Sequence, residues 1–264
     1  DTINYSALKN KVSLRLMGSS YSSVTLGVES NHHSIRNINN VIGSQADDTI
    51  EGDLGDNTLD GNSGNDTISF QNSGAKVVVN IGDSDITISN APTGNGTYTA
   101  NQATGTTIGT DKIINFENIL SGSGDDTLIG SSGLNYIYGG LGNDFIYGGA
   151  GDDKLYGEEG NDTIVGGVGN DTIDGGEGID TVSYFDASNV TLSLRGSSYG
   201  TATATYSGVS YNDRLYSIEN VIGSSGDDTI QGNEEDNILD GAGGKNTVSY
   251  SGALGSVSVD LGLQ

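Results

Sequence analysis

Between residues 121 and 183 a large aliphatic residue returns at every ninth position: Leu128, Ile137, Ile146, Leu155, Ile164, Ile173 and Val182. The same spacing holds for Ile50, Leu59 and Ile68 in residues 43–69, and for Ile230, Leu239 and Val248 in residues 223–249. Each aliphatic residue lies in a three-residue run such as "TIV" or "KLY", and six residues rich in Gly, Asn and Asp follow. The pattern predicts a three-residue strand with only its middle side chain pointing inward, then a turn. A strand that short buries nothing by itself, so the thirteen repeats must stack on one another. Two nonapeptides make one coil, and two parallel sheets face each other across a thin aliphatic core. Turns of repeats n and n+2 then lie on the same edge, about 4.8 Å apart.

Between the blocks the period changes from nine to two. "VVVNI" (77–81) and "VTLSL" (190–194) alternate apolar and polar residues, as do "VSLRL" (12–16) and "VSVDL" (257–261). Such runs predict half-buried strands. Thr- and Tyr-rich stretches follow, so the spacers are expected to form antiparallel β-hairpins that cap or flank the rolls and cover their edges. The resulting division is 1–42 (a flanking β segment that starts at the tail of a repeat), 43–69 (block 1), 70–120 (spacer), 121–183 (block 2), 184–222 (spacer), 223–249 (block 3) and 250–264 (the start of a further spacer). The fold class expected is all-β: a parallel β-roll solenoid of nonapeptide repeats in three blocks, with antiparallel hairpin spacers.

Charge changes the picture. The 264 residues include 35 acidic and 10 basic side chains, a net charge of −25. A compact chain with that charge repels itself unless cations offset it. Nucleic acid is excluded as a partner, since phosphate binding needs clustered Lys and Arg. There is no Cys, which removes disulfides and thiolate metal sites. No apolar run approaches 18 residues, so no membrane-spanning helix is expected.

With the leading Gly of each nonapeptide numbered 1, the aliphatic residue stands at position 8 and an acid or amide at position 6. In block 2 position 6 is Asp126, Asn135, Asp144, Asp153, Asp162, Asp171 and Asp180. In block 1 it is Asp48, Asn57 and Asp66, and in block 3 Asp228, Asn237 and Asn246. Stacking sets these carboxylates above one another, where they repel unless something sits between them. The Gly-rich turn also leaves backbone carbonyls uncovered. A flexible, all-oxygen ligand set without His or Cys suits Ca²⁺ better than Mg²⁺ or a transition metal.

"GGAGDDKLY" (148–156) and "GGVGNDTID" (166–174) match the pattern G-G-x-G-x-D-x-aliphatic-x at every fixed position, and the chain resembles the RTX (repeats-in-toxin) calcium-binding β-roll family. The resemblance implies that each Ca²⁺ takes carbonyls and position-6 side chains from turns n and n+2. Five pairs 18 residues apart are Asp–Asp: Asp48/Asp66, Asp126/Asp144, Asp144/Asp162, Asp153/Asp171 and Asp162/Asp180. Asn135/Asp153 and Asp228/Asn246 hold one carboxylate each. The segments leading into the blocks read as disguised repeats, with Ile119, Val221 and Val41 in the position-8 role. Glu117/Asn135 and Glu219/Asn237 would then be calcium sites as well, giving about nine ions, and Asn39/Asn57 would be empty or weak. The order of blocks and spacers resembles that of RTX toxins of the adenylate cyclase kind. The family further implies a protein that is secreted through type I secretion machinery, works outside the cell or on a bacterial surface, folds on meeting calcium, and has a host or cell-surface ligand. A calcium-stiffened segment of a surface adhesin or S-layer protein, or an accessory module of an extracellular enzyme, are the alternatives.

No catalytic set emerges, and a non-enzymatic chain is expected. "GSSYG" (196–200) places Ser198 in a nucleophile-elbow pattern, but the two histidines, His32 and His33, lie upstream and no helix pattern follows. There is no HExxH, and the lone proline follows Ala91 rather than Asp. Tyr138, Tyr147 and Tyr156 at position 9 face outward. Tyr138 and Tyr156 are expected to stack as a cross-strand pair.

Overall fold

The computed structural model describes residues 1–27, 31–89, 91, 93–194 and 199–251. Among them every helix or strand element is a strand. The strands form two long sheets, of 12 and 14 strands, that face each other, and a separate two-stranded hairpin. Alternate nonapeptides feed alternate sheets. Leu128, Ile146, Ile164 and Val182 pair successively in one sheet, and Ile119, Ile137, Leu155 and Ile173 in the other. All of these side chains are fully buried, and they belong to one core running the length of the roll. The stack opens at its C-terminal end, where Leu239 is partly buried and Val248 is 40% exposed.

Five of the seven strands of block 2 are longer than the pattern predicts, while the first and last, Thr127–Ile129 and Thr181–Ser183, have the three residues expected. Tyr136–Leu141, Phe145–Ala150, Lys154–Glu159, Thr163–Val168 and Thr172–Glu177 have six residues each. Pairing continues past position 9 into the next repeat, as Gly149 with Gly167 and Leu141 with Glu159. Position 2 bends there with positive φ, 99° at Gly140 and 103° at Gly149, which Gly adopts without a Cβ clash.

The spacers do not cap the rolls; they are spliced into the sheets. Across the first spacer the strand order is Thr58–Asp60, Gly109–Ile114, Gln102–Gly105, Val77–Asn80, Thr127–Ile129. Across the second it is Thr172–Glu177, Val209–Tyr216, Gly200–Tyr206, Asn189–Ser193, Thr229–Gln231, in the opposite sheet. Each spacer is a three-stranded meander. Two reversals return the outer strands to the direction of the roll, so each pairs in parallel with a repeat while only the middle strand is antiparallel. The backbone ladder is thereby continued and no edge is left inside the stack. Among the described residues only the N-terminal meander, Val12–Arg15, Ser22–Leu26 and Asn31–Ile35, lies at the end of its sheet.

One part of the first spacer does leave the roll. The hairpin Ile86–Ile88 and Gly96–Tyr98 belongs to a second, small core in which Ile88 and Ala91 meet Ile129, Phe145 and Val165. Those outward positions of the repeat are apolar where the hairpin covers them. Tyr147 is half-buried against the same cluster, whereas Tyr138 and Tyr156 stack on the other sheet with ring centroids 4.8 Å apart and planes 7° apart. Ser198, Pro92 and the run 257–261 lie outside the described residues.

Candidate metal centres

The position-6 aspartates divide the labour of their two oxygens. One oxygen accepts the backbone N–H of the position-6 residue one coil earlier: Asp48 N–H donates to Asp66 at 2.7 Å, Asp126 to Asp144 at 2.7 Å, Asp144 to Asp162 at 2.7 Å, Asp153 to Asp171 at 2.8 Å and Asp162 to Asp180 at 2.8 Å. Asn135 N–H donates to Asp153 in the same way, at 2.8 Å. The structure therefore brings together each Asp–Asp pair expected from the 18-residue spacing. A second ladder runs the other way at position 5. Asp125 accepts from Asn143 N–H, Asn143 from Asn161 and Asn161 from Ile179, which explains why Asn or Asp precedes the position-6 residue in so many repeats.

The second oxygen sorts the turns into two kinds. In Asp66, Asp144, Asp153, Asp162, Asp171 and Asp180 it is buried with no hydrogen-bond partner. Burial pushes these carboxyls far above the ordinary range: to about 7 for Asp66 and Asp153, about 8 for Asp144 and Asp171, and about 6 for Asp162 and Asp180. Position 1 is glycine for space here, not for φ. A Cβ on Gly148 would lie 2.6 Å from Asp153 Oδ2 and 2.5 Å from the carbonyl oxygen of Gly166, one coil on. The same pair of oxygens, the turn's own carboxylate and the next coil's carbonyl, closes on Gly61, Gly139, Gly157 and Gly175.

The other turns are closed by hydrogen bonds. Asp48 accepts from Val12 N–H at 2.6 Å and from the Ser44 hydroxyl at 2.8 Å, and Ser44 N–H donates to its other oxygen. Asp228 is held likewise by Val190 N–H and by both groups of Ser224. Asp126 accepts from Val77 N–H and the Ser121 hydroxyl. At Asn135 the amide oxygen accepts Ser131 N–H while the amide nitrogen donates to the Glu117 carbonyl at 2.7 Å; Asn237 does the same with Asn233 and the Glu219 carbonyl. Asn246 donates to the Gly241 and Gly243 carbonyls of its own turn, at 2.8 and 2.7 Å. A neutral N–H donor thus stands where an aspartate turn has only acceptors.

Sequence spacing ranked the position-6 pairs by their number of carboxylates; the structure sorts them by which oxygens find a donor. In Asp48, Asp126 and Asp228 both oxygens already accept a donor, and in Asn135, Asn237 and Asn246 the amide oxygen accepts while the amide nitrogen donates, so none has an orphaned side-chain oxygen. Glu117 and Glu219 do occupy the position-6 place of the lead-in coils, accepting from Asp66 N–H at 2.7 Å and Asp180 N–H at 2.8 Å. The pairs Glu117/Asn135 and Glu219/Asn237 nevertheless lack the open acceptor pair, because an amide nitrogen fills it. The Asn39/Asn57 pair has no carboxylate; Asn57 Oδ1 accepts Asp53 N–H and its amide nitrogen donates to Asp53 Oδ1.

Two carboxylates outside the nonapeptides also take the position-6 role. Asn57 N–H donates to Asp111 at 2.8 Å, and Asp171 N–H to Asp213 at 2.9 Å. Neither was among the sequence candidates, though the signal was present. "DKI" (111–113) and "DRL" (213–215) repeat the Asp-x-aliphatic ending of the nonapeptide. His32 and His33 lie on the N-terminal end strand, where His33 Nδ1 is 3.3 Å from the Tyr5 hydroxyl. Among the described residues no three His, Cys, Asp or Glu side chains converge. Any ion must therefore be held by carboxylates completed by backbone carbonyls. The open turns fit such an ion. Their orphaned acceptors face other acceptors across a space that one Cβ would fill, and hard oxygen donors of this kind suit Ca²⁺.

Two stacked parallel sheets of nonapeptides with acceptor-lined turns on their edges define a β-roll repeat protein with calcium-binding turns. The RTX calcium-binding nonapeptide repeat family matches four stretches, residues 37–69, 120–155, 147–182 and 207–248, which together cover about half of the chain, and the chain belongs to that family. No curated protein matches the chain. Among the described residues no helix is long and apolar enough to cross a membrane.

Proposed function

We propose that this chain is a non-enzymatic module of a secreted bacterial protein that completes its fold when calcium binds. The observation that carries the reading is the set of six position-6 aspartates, each with one buried oxygen that has no donor. Ionised and unpaired, such oxygens oppose folding; with a cation between turns they favour it. Binding free energy then becomes folding free energy. Six ions in the open turns, Asp66, Asp144, Asp153, Asp162, Asp171 and Asp180, are the stoichiometry this reading gives for the repeats, fewer than the nine read from spacing. A chain of net charge −25 would stay extended where calcium is scarce, which suits export through a narrow type I channel, and would fold in the millimolar calcium outside.

The continuous core favours a second reading, in which the roll is folded without calcium and the ions stiffen it, as a segment of an adhesin or S-layer protein would require. Far-UV circular dichroism during a Ca²⁺ titration from EGTA, with Mg²⁺ as control, separates the two. A coil-to-β transition driven by Ca²⁺ alone supports calcium-dependent folding. A full β spectrum in EGTA replaces it with the scaffold reading.

A further inference from the structure

Outside the nonapeptides one carboxylate is left in the same predicament as the open turns. Asp111 lies on the returning strand of the first spacer, Gly109–Ile114, where that strand pairs with Thr58–Asp60 of block 1. Its residue is 1% exposed. One oxygen accepts Asn57 N–H at 2.8 Å; the other has no partner. Among the described residues no basic side chain pairs with it. The orphaned oxygen closes on Gly52 from one side while Asn57 Oδ1 closes from the other: a Cβ there would lie 2.8 Å from the first and 2.6 Å from the second. Asn57 Oδ1 is itself an acceptor, already taking Asp53 N–H at 2.9 Å. The carbonyls of Leu54 and Gly55 stand against the start of the same strand, each 3.0 Å from where a Cβ on Gly109 would sit.

The second spacer shows how such a carboxylate is closed without an ion. Asp213 holds the matching place, two residues before Leu215 as Asp111 is before Ile113, and both aliphatic residues precede the lead-in Val221 or Ile119 by six. Asp213 accepts Asp171 N–H with one oxygen and the Tyr184 hydroxyl with the other, both at 2.9 Å. The first spacer has Phe70 in the frame of Tyr184, "DTISF" against "DTVSY", and a phenyl ring has no hydroxyl to give. Burial raises the Asp111 pKa to about 7, with the charges of Asp53 and Asp56 adding to the rise. The local charge is thus negative and uncompensated.

We propose that Asp111, with Asn57 Oδ1 and the carbonyls of the 54–55 turn, binds a further divalent cation of the Ca²⁺ class at the seam between the first spacer and block 1. The ion would fasten the spliced meander to the repeats, a task the nonapeptide turns do not perform. The proposal rests on the calcium reading of the repeats, and the test separates the two.

Bound Ca²⁺ is counted on the full chain at pH 8 by equilibrium dialysis at fixed free Ca²⁺ and by native mass spectrometry. Asp111→Asn is expected to bind one ion fewer than the unmodified chain, and Asp213→Asn the same number. Asn57→Asp, which adds a carboxylate to the site, is expected to keep the count and tighten one site about tenfold. An Asp111→Asn chain that is folded by circular dichroism and binds the full number of ions overturns the proposal, leaving a proton or a water on Asp111. If Asp111→Asn does not fold, an Asn57→Asp chain with no tightened site overturns it equally. A chain that binds no calcium at all overturns the reading of the repeats themselves.

Discussion

Replacing Asp153 by Asn tests the charge argument at a single turn. The substitution keeps the oxygen that accepts Asn135 N–H and turns the orphaned oxygen into an N–H donor facing the Gly166 carbonyl, the arrangement Asn246 already has with the carbonyls of its own turn. Without metal, folding must bury the ionised carboxylate. The rise of its pKa from an ordinary 3.8 to about 7 corresponds to about 4 kcal/mol at about 1.4 kcal/mol per pH unit. A raised folded-state value means that stability is present at low pH and lost as pH climbs through about 7. In EGTA, Asp153→Asn should therefore be more stable than the unmodified chain by about 4 kcal/mol at pH 8 and by only about 2 kcal/mol at pH 5, where the folded carboxyl is already neutral. The assay is circular dichroism along a trimethylamine-N-oxide titration, which drives metal-free folding, at both pH values. In saturating Ca²⁺ the order should invert, with one ion lost. A substitution that destabilises the metal-free chain at pH 8, or that shifts stability equally at pH 8 and pH 5, would refute the claim that burial of charge is what calcium relieves.

Four further outcomes follow from the same structure. Gly148→Ala leaves every ligand in place but puts a Cβ 2.6 Å from Asp153 Oδ2, so it should remove one bound Ca²⁺ and raise the calcium midpoint of folding, read by circular dichroism. Ile164→Ala empties a fully buried place in the core stack and should lower stability in saturating Ca²⁺ by about 3 kcal/mol, measured by urea unfolding. Glu158 holds a position-2 place at φ 75°, so Glu158→Gly should stabilise the calcium-bound roll by about 0.5–1 kcal/mol in the same assay. The unmodified chain in EGTA should gain β structure as pH falls from 8 to 5, since the open-turn carboxyls titrate between about 6 and about 8, and lose it again on return to pH 8.

How much of this was legible in the residues differs by level. Position 8 was fully legible, because the one inward side chain per strand must be aliphatic wherever two sheets close on each other. The 18-residue pairing of position-6 groups followed from the coil length, and the amide-to-carboxylate bonds of the five Asp–Asp pairs bear that pairing out. The difference between open and closed aspartate turns was written at positions 1 and 2, but only in retrospect: Ser121 at position 1 gives its hydroxyl to Asp126. Ser44 and Ser224 turn their own N–H and hydroxyl onto the carboxylate, whereas Gly140 and Gly149 take positive φ and leave it free. Asp111 and Asp213 escaped because they sit in strands that look unrelated to the repeat until the sheet sets them beside it.

The residues alone determined the period, the inward face and the ligand chemistry, since each depends on groups at most a coil apart along the chain. Tertiary structure decided where the meanders go, which carboxylates find a donor, and that Asp111 meets Asn57 across 54 residues of chain. Those outcomes depend on which strand is the neighbour in the sheet. The ladder accepts any strand of the right direction, so that choice is made by the closing of the whole roll and not by any local stretch of it.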